Sequence, residues 1–295
     1  MRLRVPHAAL AAPAVLAAST LLAGCAGSTA GPDTSANRPT VVAAFYPLAY
    51  AAEQVAGDSV DVIDLTPPGA EPHDLELTAQ QVAQIAEADL VLYVPGFQPA
   101  VDEAVAQQAG DRALDVTQGI DMIPGDPHVW LDPLNMATIG NSIADRLGAS
   151  LPDLADTVDV GARKLSADMS GLSNEWKTGT QSCTIRDLVV SHEAFGYLAR
   201  AYGFTQVGIA GLSPDSEPSP ARLAEVTALV KDRGVTTIYY ETLVDPKIAQ
   251  TVAAETGATT AVLDPLEGLP EGSDGNYVSV MQDNLAQVRT GQACP

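Results

Sequence analysis

Histidine is scarce in this 295-residue chain: there are four, and His7 lies in an apolar leader, so any imidazole chemistry in the body must use His73, His128 and His192. Cysteine is scarcer, at three residues. Lysine and arginine together number 15 against 37 aspartates and glutamates, a net charge of −22. A surface this acidic repels phosphate backbones, which excludes nucleic-acid binding. It attracts cations, weakly and without choosing among them. There is no Walker-type glycine-rich phosphate loop, so any ATPase working with this chain is a separate protein. There is no Gly-x-Ser-x-Gly elbow, and in the run after His192-Glu193 the second histidine of a His-Glu-x-x-His motif is replaced by Gly196. The longest apolar run, residues 8–22, is short for a membrane span. With 46% hydrophobic and 18% charged residues, the chain can build a core, and general disorder is excluded.

The start of the chain has the plan of a signal peptide: Arg2 and Arg4, the apolar run, then Leu22-Ala23-Gly24-Cys25. That tetrapeptide resembles the lipobox of bacterial lipoproteins. The resemblance implies a signal peptide over residues 1–24, removed before Cys25, and a lipid anchor on the Cys25 sulfur. Residues 25–39 are small, polar and bear Pro and Gly, the composition of a flexible tether. The body is then expected outside the cytoplasm, held at the membrane. In that oxidising compartment Cys183 and Cys294 are the remaining pair, and a disulfide between them is expected; the alternative is two unpaired thiols.

From residue 40 the pattern is strand, helix, strand, helix. Residues 40–45, 60–65, 89–94 and 112–116 read as strands, and Thr78 is a candidate N-cap for a helix over 78–87. Residues 133–179 are helical, broken near Pro152. After Cys183 the alternation restarts, with strands over 186–191, 204–210, 236–240 and 258–263. Strands separated by helices imply parallel sheets covered on both faces. The fold class is therefore α/β: an N-terminal lobe (40–132) and a C-terminal lobe (181–295), each a parallel sheet flanked by helices, joined by a long rigid helical spine (133–180). Ligands of such sheets sit beyond the carboxyl ends of the strands.

Each histidine of the body stands where one element hands over to the next. His73 follows the second strand, His128 precedes the spine and His192 directly follows the first strand of the second half; Asp264 directly follows the last strand. Two candidate ligands thus come from each lobe, and the cleft between the lobes is where they can meet. Three neutral imidazoles and one carboxylate suit a borderline cation such as zinc, whereas calcium and magnesium want mostly oxygen. Proline precedes both His73 and His128 and fixes the local backbone. Glu241 and Glu71, with Asp74 and Glu193 behind them, are candidates to hold the ring nitrogens that face away from the metal; Glu241 is favoured because it ends a strand.

Several segments carry a family resemblance: Gly-Ala-Glu-Pro-His-Asp around His73, Pro-His-Val-Trp-Leu-Asp-Pro around His128, Ser-His-Glu-Ala-Phe-Gly-Tyr-Leu around His192, residues 211–220 (GLSPDSEPSP), residues 240–244 (YETLV) and residues 263–267 (LDPLE). Over roughly residues 40–290 the chain resembles the zinc- and manganese-binding solute-binding lipoproteins of ABC transporters. The resemblance implies two lobes, a linking helix and one metal in the cleft, with His73, His128, His192 and Asp264 at the four ligand positions. Manganese binders of the family typically carry glutamate at the third position and zinc binders histidine, so His192 favours Zn²⁺, with Mn²⁺ as the alternative. Many zinc members carry a long His-rich loop before the second ligand; here residues 117–127 (TQGIDMIPGDP) are short and contain no histidine. The expected role is that of a monomeric, non-enzymatic capture protein that passes its ion to a membrane permease driven by a separate cytoplasmic ATPase. A zinc-dependent hydrolase, with water in place of Asp264, and an adhesin on the same fold are the other readings.

Overall fold

The computed structural model describes residues 38–214 and 216–295. The expected signal peptide, Cys25 and nearly all of the expected tether lie outside the described residues. Four short strands, β1 (Thr40–Ala43), β2 (Asp61–Asp64), β3 (Leu90–Tyr93) and β4 (Ala113–Asp115), form one parallel sheet in the order β2-β1-β3-β4, with the central β1 and β3 mostly buried. A second parallel sheet holds β5 (Asp187–Val190), β6 (Thr205–Gly208), β7 (Thr237–Tyr240) and β8 (Thr259–Val262), in the order β6-β5-β7-β8. The two sheets share one winding. In each, the chain goes outward from the first strand and then crosses back to the other side, which opens a crevice beyond the two central strands.

Helices α1 (Tyr46–Ala56), α2 (Ala79–Glu87) and α3 (Pro99–Ala104) cover the first sheet's connections. Thr78 does cap α2: its hydroxyl accepts from the Gln81 amide while the Gln81 side chain accepts from the Thr78 amide. In the second half the connections are α6 (Gly196–Tyr202), α7 (Pro220–Arg233) and α8 (Lys247–Thr256), followed by the closing α9 (Tyr277–Gly291).

The spine is a helical hairpin rather than one rod. Helix α4 (Pro133–Ser150) ends at Leu151, a tight turn at Pro152–Leu154 reverses the chain, and α5 (Ala155–Thr180) runs back along it. Gly148 faces Ala155 and Gly140 faces Leu165, the pairing of an antiparallel contact. At 26 residues α5 spans about 39 Å. Near its start it presses on the first lobe, where a Cβ on Gly161 would lie 2.1 Å from the Val55 carbonyl oxygen. Near its end Trp176 is fully buried, donates to the Met281 carbonyl of α9 at 3.2 Å and stacks on Tyr202 of α6. One continuous apolar core runs from β1 and β3 through α4 and α5 to β5, α6 and α9. A separate small cluster, including Val189, Val226 and Ile238, sits under α7 and α8. Lobes that share a core have no free hinge between them.

Cys183 and Cys294 are joined by a disulfide across a sequence separation of 111 residues. It ties the segment leading into β5 to the residues after α9. Replacing both by serine removes a loop closure worth up to about 4–5 kcal/mol in the chain-entropy model. The double variant is therefore expected to melt at least several degrees lower than the parent by calorimetry, and an unchanged melting temperature would refute that role.

Candidate metal centre

The ends of the strands deliver the side chains. In the second sheet β5 and β7 are neighbours, with Val190 opposite Tyr239. Two residues further on, His192 and Glu241 leave their strands side by side, and the His192 Nδ1 lies 2.6 Å from Glu241 Oε1. Ser191 Oγ also donates to that oxygen. In the first lobe His128 sits in an Asp-Pro-His turn: Asp126 Oδ1 accepts from the His128 amide at 2.9 Å and lies 2.8 Å from the ring Nδ1. His73 is carried by the loop after β2, where the Leu75 amide bonds to the Pro72 carbonyl. Its ring stands edge-on to Phe97, with centroids 4.6 Å apart.

Carboxylates on Nδ1 of His128 and His192 take up that N–H of each ring and turn Nε2 toward the centre, where its lone pair serves a metal once the Nε2 proton is displaced. There Nε2 of His73, His128 and His192 and one carboxylate oxygen of Glu267 all lie within 4.8 Å of one another. Glu267 Oε1 is 3.1 Å from His128, 3.2 Å from His192 and 3.4 Å from His73. The His128 nitrogen is 3.4 Å from that of His73 and 3.5 Å from that of His192. Ligands bonded at ~2.0–2.1 Å to a tetrahedral zinc ion lie about 3.3–3.4 Å apart. The five separations bracket that value. Three nitrogens and one oxygen in a closed four-coordinate arrangement fit zinc and leave no position for the hexacoordinate oxygen shell of magnesium.

The electrostatics match a site that holds positive charge. Burial alone would lower the His192 pKa, but the hydrogen bonds that its ring donates to Glu241 and Glu267 outweigh it and hold the ring at about 10. His128 is raised against the same burial penalty by Asp126 and Glu267. Burial would raise Glu267, yet hydrogen bonds from the three imidazoles hold it well below the usual carboxylate range. His128 and His192 are wholly buried and Glu267 nearly so, while 10% of the His73 side chain is exposed. A cavity of about 310 Å³, lined among others by His73, Asp74, Phe97, Leu212 and Ser213, leads to it.

Asp264, expected from the sequence as the fourth ligand, lies outside this group, and Glu267 stands in its place. The carboxylate of Asp264 is already engaged: Oδ1 accepts from the Leu266 amide at 2.7 Å and Oδ2 from the Thr242 hydroxyl at 2.8 Å. Asp264, two residues past β8, is held by Asn284 and Thr242, and the chain needs three more residues to turn into the cleft. The signal for Glu267 was an acid set among leucines and glycine (LEGL), where a solvated carboxylate is out of place. Asp126 was also passed over; its signal was the Asp-x-His spacing, which lets one carboxylate bind both the amide and the ring of the histidine. Of the other acids singled out, Glu193 approaches Arg222 at 3.9 Å, Asp74 is exposed at the cavity mouth and Glu71 is half-buried in the loop ahead of His73.

Comparison with known proteins follows the same lines. Residues 41–291 match the family ZnuA, described as zinc-uptake complex component A, periplasmic. The high-affinity zinc uptake system protein ZnuA of Bacillus subtilis is 33% identical over 92% of this chain and 94% of its own length. The zinc-binding lipoprotein AdcA of Streptococcus pneumoniae is 34% identical over 84% of this chain, which spans only 55% of that longer protein. Among solved structures, the Zn(II)-bound ZnuA-like domain of the same AdcA superposes with a TM-score of 0.77 at 35% identity, covering 86% of this chain and 99% of that domain. The laminin-binding protein Lmb of Streptococcus agalactiae, described as bifunctional with adhesin and metal transporting activity, gives a TM-score of 0.79 at 30% identity, covering 86% of this chain and 99% of that one. With its family match spanning nearly the whole described body, two parallel sheets bridged by a long helix, and three histidines and a glutamate gathered between them, the chain belongs to the ZnuA family of periplasmic zinc-uptake components.

Proposed function

We propose that this protein captures Zn²⁺ outside the cytoplasmic membrane and delivers it to the permease of an ABC importer, as its non-enzymatic substrate-binding component. The observation that carries the reading is the set of four donor atoms from His73, His128, His192 and Glu267 within 4.8 Å of one another, with five of their six separations at 3.1–3.5 Å. The metal binders among its relatives support the choice of zinc, and the three-nitrogen donor set favours zinc over manganese. The lipobox at Cys25 supports a lipid anchor that keeps the protein beside its permease. A monomer suffices, because one chain supplies all four ligands.

Capture requires the ion to displace protons. Zinc bonds to the neutral imidazole, and the metal-free site holds His192 protonated up to about pH 10. Release follows from the same competition in reverse, assisted by movement of the His73 loop, which carries the one ligand in contact with solvent. The shared core leaves no room for a wide opening of the lobes.

Three outcomes are expected. Alanine at His73, His128, His192 or Glu267 should each weaken Zn²⁺ binding more than alanine at Asp126 or Glu241, for which removing a hydrogen-bond partner of a ligand costs about 10–100-fold. Competition against a zinc chelator measures this, and parent-like binding by Glu267→Ala would remove it from the site. Affinity should fall as pH falls, by at least about tenfold per unit between pH 8 and 6, since His192 alone contributes one displaced proton over that range; titrations giving a flat profile would contradict proton displacement. Zinc at 100 times its dissociation constant should stabilise the fold by about 2.7 kcal/mol through mass action, seen as a raised melting temperature, and manganese at the same concentration by less. No shift with excess zinc would overturn the reading.

A further inference from the structure

We propose that Asp264 is a positioning residue that holds the backbone turn presenting Glu267 to the metal, and that it acts without touching the ion. The proposal rests on the zinc reading of the site. After β8 the chain passes through residues 264–267, a turn held by hydrogen bonds to the Asp264 amide, carbonyl and carboxylate, the Pro265 carbonyl and the Leu266 amide. The Asp264 backbone is gripped on both sides by the Asn284 side chain of α9, which accepts from its amide at 2.9 Å and donates to its carbonyl at 2.7 Å. The Pro265 carbonyl accepts from the indole of Trp130, two residues beyond His128, at 2.8 Å. Leu266 then takes φ = 55°, the left-handed region, with its side chain wholly buried. A bulky residue avoids that conformation unless its surroundings enforce it. The enforcing contact is the 2.7 Å hydrogen bond from the Leu266 amide to Asp264 Oδ1, while Thr242 holds the other carboxylate oxygen and so fixes its orientation.

The left-handed residue is what redirects the chain. It turns residue 267 away from the sheet and into the cleft, where its carboxylate meets three imidazole nitrogens at 3.1–3.4 Å. Remove the acceptor on residue 264 and Leu266 has no reason to stay left-handed. Its relaxation carries the backbone of Glu267 with it, and a ligand displaced by about an ångström no longer closes a tetrahedral site. The histidines, held by Asp126, Glu241 and Phe97, remain in place.

Charge and hydrogen bonding separate this role from ligation. Asp264→Asn keeps an acceptor oxygen for the Leu266 amide and removes the negative charge; Asp264→Ala removes both. A positioning role predicts Zn²⁺ affinity within a few-fold of the parent for Asp264→Asn and a loss of about 10–100-fold for Asp264→Ala, the usual cost of losing an outer partner. With Co²⁺ as a spectroscopic probe, Asp264→Asn should keep the intense visible bands of four-coordinate cobalt, and Asp264→Ala should show the weakened bands of Glu267→Ala. Hydrogen exchange at the Leu266 amide of the metal-free protein tests the brace independently of zinc: protected in the parent and in Asp264→Asn, fast in Asp264→Ala. Loss of affinity in Asp264→Asn equal to that in Glu267→Ala, or an equally protected Leu266 amide in parent and Asp264→Ala, would overturn the proposal. A parent that binds no Zn²⁺ while its Leu266 amide shows this pattern would sink the zinc reading and leave the brace standing.

Discussion

Donor atoms from residues 73, 128, 192 and 267 must be held within 4.8 Å of one another, five of the six pairs at 3.1–3.5 Å. No local motif can do that, because the four lie on four segments of two sheets. The separation is too short for the lobes to be loosely tethered: a rotation that moved one sheet by an ångström or two would break the group. The shared apolar core, the packing of α5 on both lobes through Gly161 and Trp176, and the interlobe bonds from Trp130 to Pro265 and from Gly69 to Leu269 are what that tolerance demands.

Without an ion, the cluster is a set of carboxylates around imidazoles. Glu267, Asp126 and Glu241 surround His128 and His192 in a region closed to water. Buried carboxylates without positive partners would be costly. The raised pKa values of His128 and His192 show how the fold meets that cost: protons on the rings supply the positive charge that a divalent cation supplies later. Capture is then an exchange of charge for charge in a preformed cavity, which avoids creating a buried charge at each step. Arg112 is the only lysine or arginine between residues 40 and 132, so the first lobe, which carries His73 and the mouth of the cavity, offers an incoming cation little repulsion.

Much of this was legible in the residues, for identifiable reasons. The strands read clearly because parallel strands buried on both faces are nearly continuous apolar runs, and Thr78 read as a cap because its hydroxyl and Gln81 satisfy each other across one turn. The three histidines stood out through scarcity, and Glu241 through its place at the end of β7, next to the strand that ends in His192. The hairpin of α4 and α5 was less legible: a proline break announces a new helix but not its direction, which is decided by which faces pack, here through Gly140 and Gly148. The difference between Asp264 and Glu267 is of the same kind: a strand end is not yet the cleft, because the direction of the backbone is settled by Leu266 adopting a positive φ, a conformation leucine does not announce. Asp126 escaped notice because its partner is two residues away rather than across the fold.

The same geometry constrains how the ion leaves. His128 and His192 are buried and braced by carboxylates, and Glu267 sits on a turn held by Asn284 of α9, by Thr242 two residues past β7 and by Trp130. Moving any of these means breaking several buried hydrogen bonds together, each costly to leave unmade. His73 differs. It rides on a loop rather than a strand end, it is the partly exposed ligand, and its neighbour Phe97 grips it by ring contact alone. Swinging aside costs it that packing and a 3.4 Å contact with Glu267, the longest of the three that Glu267 makes to the imidazoles. Opening at His73 leaves three ligands assembled, so the site can return to the capture geometry as soon as the ion has gone. A lobe-wide opening would instead dismantle the core that the capture geometry depends on.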